Sequence, residues 1–132
     1  MNQEELILRQ FWARLLQWAK KKSSMVPNLQ LRVDCPLVRR TRKTSPRAFM
    51  HTLHAPGKLC VAREAAGLDS EHLCGLFLHE LGHPMATRSW GRSEQEDADR
   101  AVKEFLGITI RYNGDLLLEW VPTYVLTKIM RG

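Results

Sequence analysis

Five consecutive residues, His79-Glu80-Leu81-Gly82-His83, followed at once by Pro84, constrain this chain more than any other feature. On an α-helix, histidines four residues apart stand one turn from each other on one face. Both can then reach a single ion at about 2.0–2.1 Å. Glu80 follows the first histidine and points about 100° around the helix. There it can accept a proton from a water held by the ion without ligating the ion itself. Chance explains little of this, since His-Glu-x-x-His arises in roughly 1% of shuffled chains with 5 His and 9 Glu. Pro84 would clash with the carbonyl of Glu80 if the helix continued, so the helix is expected to stop or kink there.

A helical wheel over residues 70–83 assigns Leu73, Cys74, Phe77, Leu78 and Leu81 to the apolar face, with Leu76 at its margin. His79 and His83 fall on the opposite side and are expected to look into a cleft or into solvent. A catalytic zinc also needs a third protein ligand and an open position. The candidates lie in Ser93-Glu94-Gln95-Glu96-Asp97-Ala98-Asp99. In the same treatment Ala98, Ala101, Val102, Phe105 and Leu106 define the buried face of this second helix. Glu94 lies near its centre, Asp97 and Asp99 about 100° away, and Glu96 nearly opposite. Glu94 is therefore the favoured third ligand, with Asp97 and Glu96 as alternatives. Ser93 and Glu96 fit a capping box, and Asp97 and Asp99 could simply complement the helix N-terminus.

On His79-Glu80-Leu81-Gly82-His83 and the acidic, Ala-containing helix Glu94–Phe105, about 30 of the 132 residues, the chain resembles the gluzincin-type HExxH metallopeptidases. The likeness is greatest to the small ImmA/IrrE-like and phage-encoded kind. The second helix of that family reads Glu-x-x-Ala-Asp/Asn, with the Glu as third ligand. Aligning on Ala98-Asp99 puts Gln95 in that place. The resemblance implies a zincin-like fold, bound Zn2+, and substrate lying along an edge strand before the motif helix, at residues 58–63. It implies a zinc metallopeptidase acting on a protein or peptide substrate, with His79, His83 and an acidic residue holding the ion and Glu80 as general base.

Charge suggests the rival reading. Residues 1–63 carry 13 Lys/Arg against 3 Asp/Glu, whereas residues 64–132 carry 7 against 11. The excess peaks at Lys20-Lys21-Lys22 and at Arg39, Arg40, Arg42, Lys43 and Arg47. A basic 39–47 loop could attract an acidic partner or nucleic acid. The chain would then be a non-catalytic or regulatory zincin-like module. No aromatics interleave the cluster to stack on bases. The acidic start, Glu4-Glu5, is unlike a secretory signal, and no apolar run approaches the roughly 20 residues of a membrane span. A cytoplasmic location without a membrane partner is expected.

Cys35, Cys60 and Cys74 are odd in number and lack Cys-x-x-Cys spacing, so buried free thiols are expected rather than disulfides or a cysteine zinc site. A second metal site at His51-x-x-His54 has little support. His72 is expected at the surface, and Tyr112 and Tyr124 are expected in packing roles rather than as oxyanion donors.

Periodicity orders the elements. Leu6, Ile7, Phe11, Leu15 and Trp18 mark a helix over 4–22. Strands are expected at 29–33, 48–53 and 58–63, with a turn at Pro56-Gly57, and a loop at 34–47 around two prolines. The motif helix and the second helix, to about Leu106, follow. Asn113-Gly114 marks a hairpin between 108–112 and 116–121, and Pro122 opens a last helix. The sum is one α+β domain over 1–132, a small, mainly antiparallel sheet packed against the motif helix and flanking helices.

Overall fold

The computed structural model describes residues 2–52, 57–113 and 116–131. Pro56 of the expected turn, His54, and Gly114 of the expected hairpin turn lie outside them. The described residues form an α+β domain with helices α1 (Gln3–Lys22), α2 (Pro36–Thr44), α3 (Ser70–Trp90), α4 (Gln95–Ala101) and α5 (Thr123–Arg131). Strands β1 (Gln30–Val33), β2 (Met50–His51) and β3 (Lys58–Val61) make one sheet, and β4 (Arg111–Asn113) pairs with β5 (Leu116–Glu119). No described helix is long and apolar enough to cross a membrane.

The Asn2 side chain caps α1 by accepting the Glu5 N–H at 2.8 Å, and Lys20, Lys21 and Lys22 sit at its C-terminal, partially negative end. Its buried stripe is Leu8, Trp12, Leu15 and Ala19, while Leu6 and Ile7 are exposed, a different phase from the expected one. Trp12 decides the rotation. Its indole N–H donates to the Leu29 carbonyl at 3.1 Å, and its ring lies 5.2 Å from Phe77 in the core.

Residues 34–47 are not the expected loop. Pro36 stands in the first turn of α2, where a missing N–H costs nothing, and Cys35 Sγ caps the helix by accepting from Val38 N at 3.4 Å. Pro46 falls beyond its end. The prolines therefore flank a helix instead of breaking one. With α2 carrying the chain back, β1 pairs parallel to β3, while β2 pairs antiparallel to it. The sheet, ordered β1-β3-β2, is thus mixed rather than mainly antiparallel. It also makes β3 the central strand, so residues 58–63 supply no edge for a substrate. The edge beside the motif helix is β2. Side chains on β3 alternate: Leu59 and Val61 face the main core, whereas Cys60 and the following Ala62 join Cys35 and Val38 in a smaller cluster under α2.

Helix α3 neither stops nor is interrupted at Pro84, and ends only at Gly91, whose φ of 73° suits glycine. Proline removes the donor that would have satisfied the Glu80 carbonyl four residues back. Thr52 Oγ1, buried at the end of β2, supplies a long replacement bond to that carbonyl at 3.5 Å. The helix is buried all round rather than on one face. Glycines make this possible on the histidine side. A Cβ on Gly82 would collide with the Ala98 carbonyl of α4, and one on Gly75 with the Leu117 side chain of β5. Hence α4 and the β4–β5 hairpin cover the stripe that the wheel had left open.

Candidate metal centre

His79 and His83 are 1% and 3% exposed, so they face a buried centre and not open solvent. Their rings meet edge to face at 4.8 Å. The outer nitrogen of each ring faces acceptors. His79 Nδ1 lies 2.8 Å from Asp99 Oδ1, and His83 Nδ1 lies 3.1 Å from the Ser93 carbonyl and also meets Ser93 Oγ. A carboxylate and a carbonyl can only accept, so both Nδ1 atoms carry the proton. In neutral imidazole each Nε2 then presents a lone pair inward. The other Asp99 oxygen accepts Tyr112 N–H at 2.8 Å, and the Tyr112 ring stacks on His79 at 4.0 Å. These contacts fix the plane and tautomer of His79 from two sides.

Both Nε2 atoms converge on one oxygen, Gln95 Oε1, at 2.6 Å from His79 and 3.0 Å from His83. Glu80 adds an oxygen as a fourth potential donor. The donor atoms of His79, Glu80 and His83 lie within 4.8 Å of one another. Glu80 is 8% exposed, and its Oε2 is buried without a hydrogen-bond partner among the described residues. Burial pushes its carboxyl up to about 8. Burial also lowers the pKa of His83, and the neighbouring His79 adds to that, keeping its imidazole neutral as ligation requires. Two imidazole nitrogens, an amide oxygen and the buried Glu80 carboxyl with no partner for Oε2 among the described residues are a donor set that fits a divalent cation.

The structure brings His79, Glu80 and His83 together but not Glu94. Glu94 is the exposed N-cap of α4, with φ −80° and ψ 175°. A residue in that conformation is not on the helix, so a wheel of 100° per residue misplaces it. The capping box also sits one residue further on than Ser93–Glu96: the Glu94 side chain accepts the Asp97 N–H, and Asp97 Oδ2 accepts Glu94 N–H at 3.0 Å. That bond and Arg92 at 3.3 Å occupy Asp97, and Glu96 is exposed. Gln95, itself exposed, is the residue of this segment whose side chain meets both Nε2 atoms, at the position where alignment on Ala98-Asp99 shows a departure from the expected Glu. Asp99, expected as a helix-end charge, instead lies 2.8 Å from His79 Nδ1 and holds that ring's orientation.

The remaining candidates lie elsewhere. His72 stacks on Trp120 at 4.7 Å, and Tyr124 is exposed. In the basic cluster, Arg39 contacts Glu64 at 2.7 Å and Asp34 at 3.1 Å, while Arg42 lies 3.5 Å from Glu64 and over the Phe49 ring. The Arg39 bond holds the Glu64 carboxyl down at about 2, so this carboxylate stays charged opposite the two arginines across the physiological range. Beside the metal centre, a cavity of 710 Å³ runs past His83 and Pro84, walled by Val26, Leu29, Thr52 and Arg88. No family model, no curated protein and no solved structure matches this chain.

Proposed function

We propose that His79, His83 and Gln95 hold a zinc ion and that the chain is a zinc-dependent peptidase of zincin-like type, with Glu80 as its proton carrier. The observation that carries this reading is the convergence of Nε2 of the two buried histidines on the side-chain oxygen of Gln95, an exposed residue at the start of α4, with the Glu80 carboxyl beside them. Zinc held by three protein donors with one position open acidifies a water and polarises a carbonyl. Asp99 and Ser93 keep both Nε2 lone pairs turned inward. Glu80, buried and without a partner for Oε2 among the described residues, is the group that would take the proton of a zinc-held water and return it to the leaving amine. The largely apolar cavity beside His83 takes a substrate side chain next to the scissile bond, and Arg88 favours an acidic group at its wall.

The test combines metal analysis with peptide cleavage in the wild type, His79→Ala, His83→Ala and Glu80→Gln. The wild type should carry zinc at the centre and both histidine variants should lose it. Glu80→Gln should keep it while cleavage falls by on the order of 10²–10⁴-fold. Equal zinc in wild type and histidine variants would mean that the Gln95 amide is turned end for end, its NH2 donating to both imidazoles with no ion. A second reading, a regulatory module with a structural zinc, draws on the burial of both histidines beneath α4. Zinc-loaded wild type that cleaves nothing across a broad peptide panel would favour it.

A further inference from the structure

On the other face of the sheet, Cys35, His51 and Cys60 bring one donor atom each to within 4.8 Å of one another. We propose that these three residues form a second, sulfur-rich metal site that takes a thiophilic cation, Zn2+ by donor chemistry, independently of the His79–His83 centre.

Three separate elements assemble the trio. His51 and Cys60 are cross-strand partners in the antiparallel β2–β3 pair, so their side chains leave the sheet on the same face. Cys35 arrives from β1. Asp34 turns the chain with φ 58°, donates its N–H to the Val61 carbonyl at 2.9 Å, and accepts Arg63 N–H through its side chain at 3.0 Å. That turn holds Cys35 over β3, with its Sγ 3.2 Å from His51 Nε2. Cys35 and Cys60 are 4% and 1% exposed and sit beneath α2. A cavity of 140 Å³ lined by Leu37, Val38, Thr41, Ala48, Met50 and His51 adjoins the trio, with room for a water as fourth donor.

The donor set decides the class of ligand. Two thiols and an imidazole select Zn2+ or Cu+ over Mg2+ or Ca2+, which prefer oxygen. Binding at such a site is a proton-releasing exchange. Each sulfur gives its proton to solvent and its lone pair to the ion, so one Zn2+ and two thiols yield a neutral bis-thiolate and two protons, with no change of oxidation state. The ion would tie β1, β2, β3 and the start of α2 together. It would thereby fix the end of β2 from which Thr52 reaches the Glu80 carbonyl.

The experiment uses the full chain, stripped by chelator under reducing conditions and titrated with Co2+ as an optical stand-in for Zn2+. Sulfur ligation gives an intense thiolate-to-cobalt absorption in the near ultraviolet. Histidine, amide and carboxylate donors do not, so the band reports this site alone. We expect the band in the wild type and in His79→Ala, its saturation at one Co2+ per chain in His79→Ala, where the other centre is disabled, its displacement by Zn2+, and its loss in Cys35→Ser and Cys60→Ser. In parallel, alkylation of the native wild type followed by peptide mass mapping requires no folded variant. Zn2+ should slow modification of Cys35 and Cys60 at least tenfold, and chelator should restore it. Absence of the band from the wild type, its persistence in both cysteine variants, or alkylation indifferent to Zn2+ would overturn the proposal. So would recovery of Cys35 and Cys60 as a disulfide in protein purified under reducing conditions.

Discussion

Replacing Glu80 with Gln should stabilise the zinc-free protein at alkaline pH and leave it nearly unchanged in acid. Glu80 is 8% exposed and its Oε2 has no hydrogen-bond partner among the described residues. Burial moves its carboxyl from 4.5 to about 8. In that interval the native state keeps a proton that the unfolded chain has released. Native stability therefore falls as pH rises through the window, with the loss complete above about 8. At about 1.36 kcal/mol per pH unit, the ceiling is about 5 kcal/mol. Any water reaching the carboxylate reduces it toward the roughly 1–3 kcal/mol that a buried polar group without a partner costs. His83 works in the opposite direction: its lowered pKa makes stability rise with pH up to the ordinary histidine range. Both proteins share that contribution, so their difference isolates Glu80. Urea melts of both proteins from pH 4 to 9, in the presence of chelator and with equal slopes, supply the measurement. The curves should coincide near pH 4 and separate by 9, the variant being the more stable. Parallel curves across the whole range would refute the reasoning, because a Glu80 that ionises without cost in the folded state is not the buried, unpaired group described here.

Three further outcomes follow from the same geometry. Gln95→Glu places a carboxylate at the third donor position and should tighten zinc binding tenfold or more, about 1.4 kcal/mol, in chelator competition; unchanged or weaker binding would remove residue 95 from the donor set. Asp99→Asn removes the charge behind His79 Nδ1 and should weaken zinc binding by roughly 10–100-fold with little loss of helix content, so an unaltered affinity would show that His79 needs no such support. Gly82→Ala drives a methyl into the Ala98 carbonyl of α4 and should cost about 1–3 kcal/mol in denaturant melts while also weakening zinc binding; a variant that melts and binds like the wild type would contradict the α3–α4 contact.

Much of the centre was legible locally. The His79–His83 spacing needs only a helix to put both rings on one side, and the helix follows from short-range periodicity. Gln95 was not legible as a donor: alignment on Ala98-Asp99 shows it only as a departure from the expected Glu, and the wheel favours Glu94. That wheel assumed helical dihedrals at a residue whose backbone is extended, and capping geometry cannot be read from side-chain periodicity. Gly75 and Gly82 were the overlooked signal for burial. Two glycines on the histidine stripe of one helix mark places where neighbouring elements come too close for a Cβ.

The sequence by itself determined the α+β character, the motif helix with its two histidines and adjoining carboxylate, the antiparallel pairing of β2 with β3, and the terminal helix after Pro122. Each rests on interactions between residues a few positions apart. Only the tertiary structure decided that α2 is a helix, that β1 runs parallel to β3, and that α3 passes through Pro84. The same holds for the meeting of Cys35, His51 and Cys60, whose numbers show no ligand spacing. Those outcomes depend on partners far along the chain: Thr52 for the Glu80 carbonyl, 28 residues away, and β3 as the strand across which Cys35 and His51 meet. Local propensity weighs a proline or a cysteine by its immediate neighbours, whereas its final role is set by the group that long-range packing places against it.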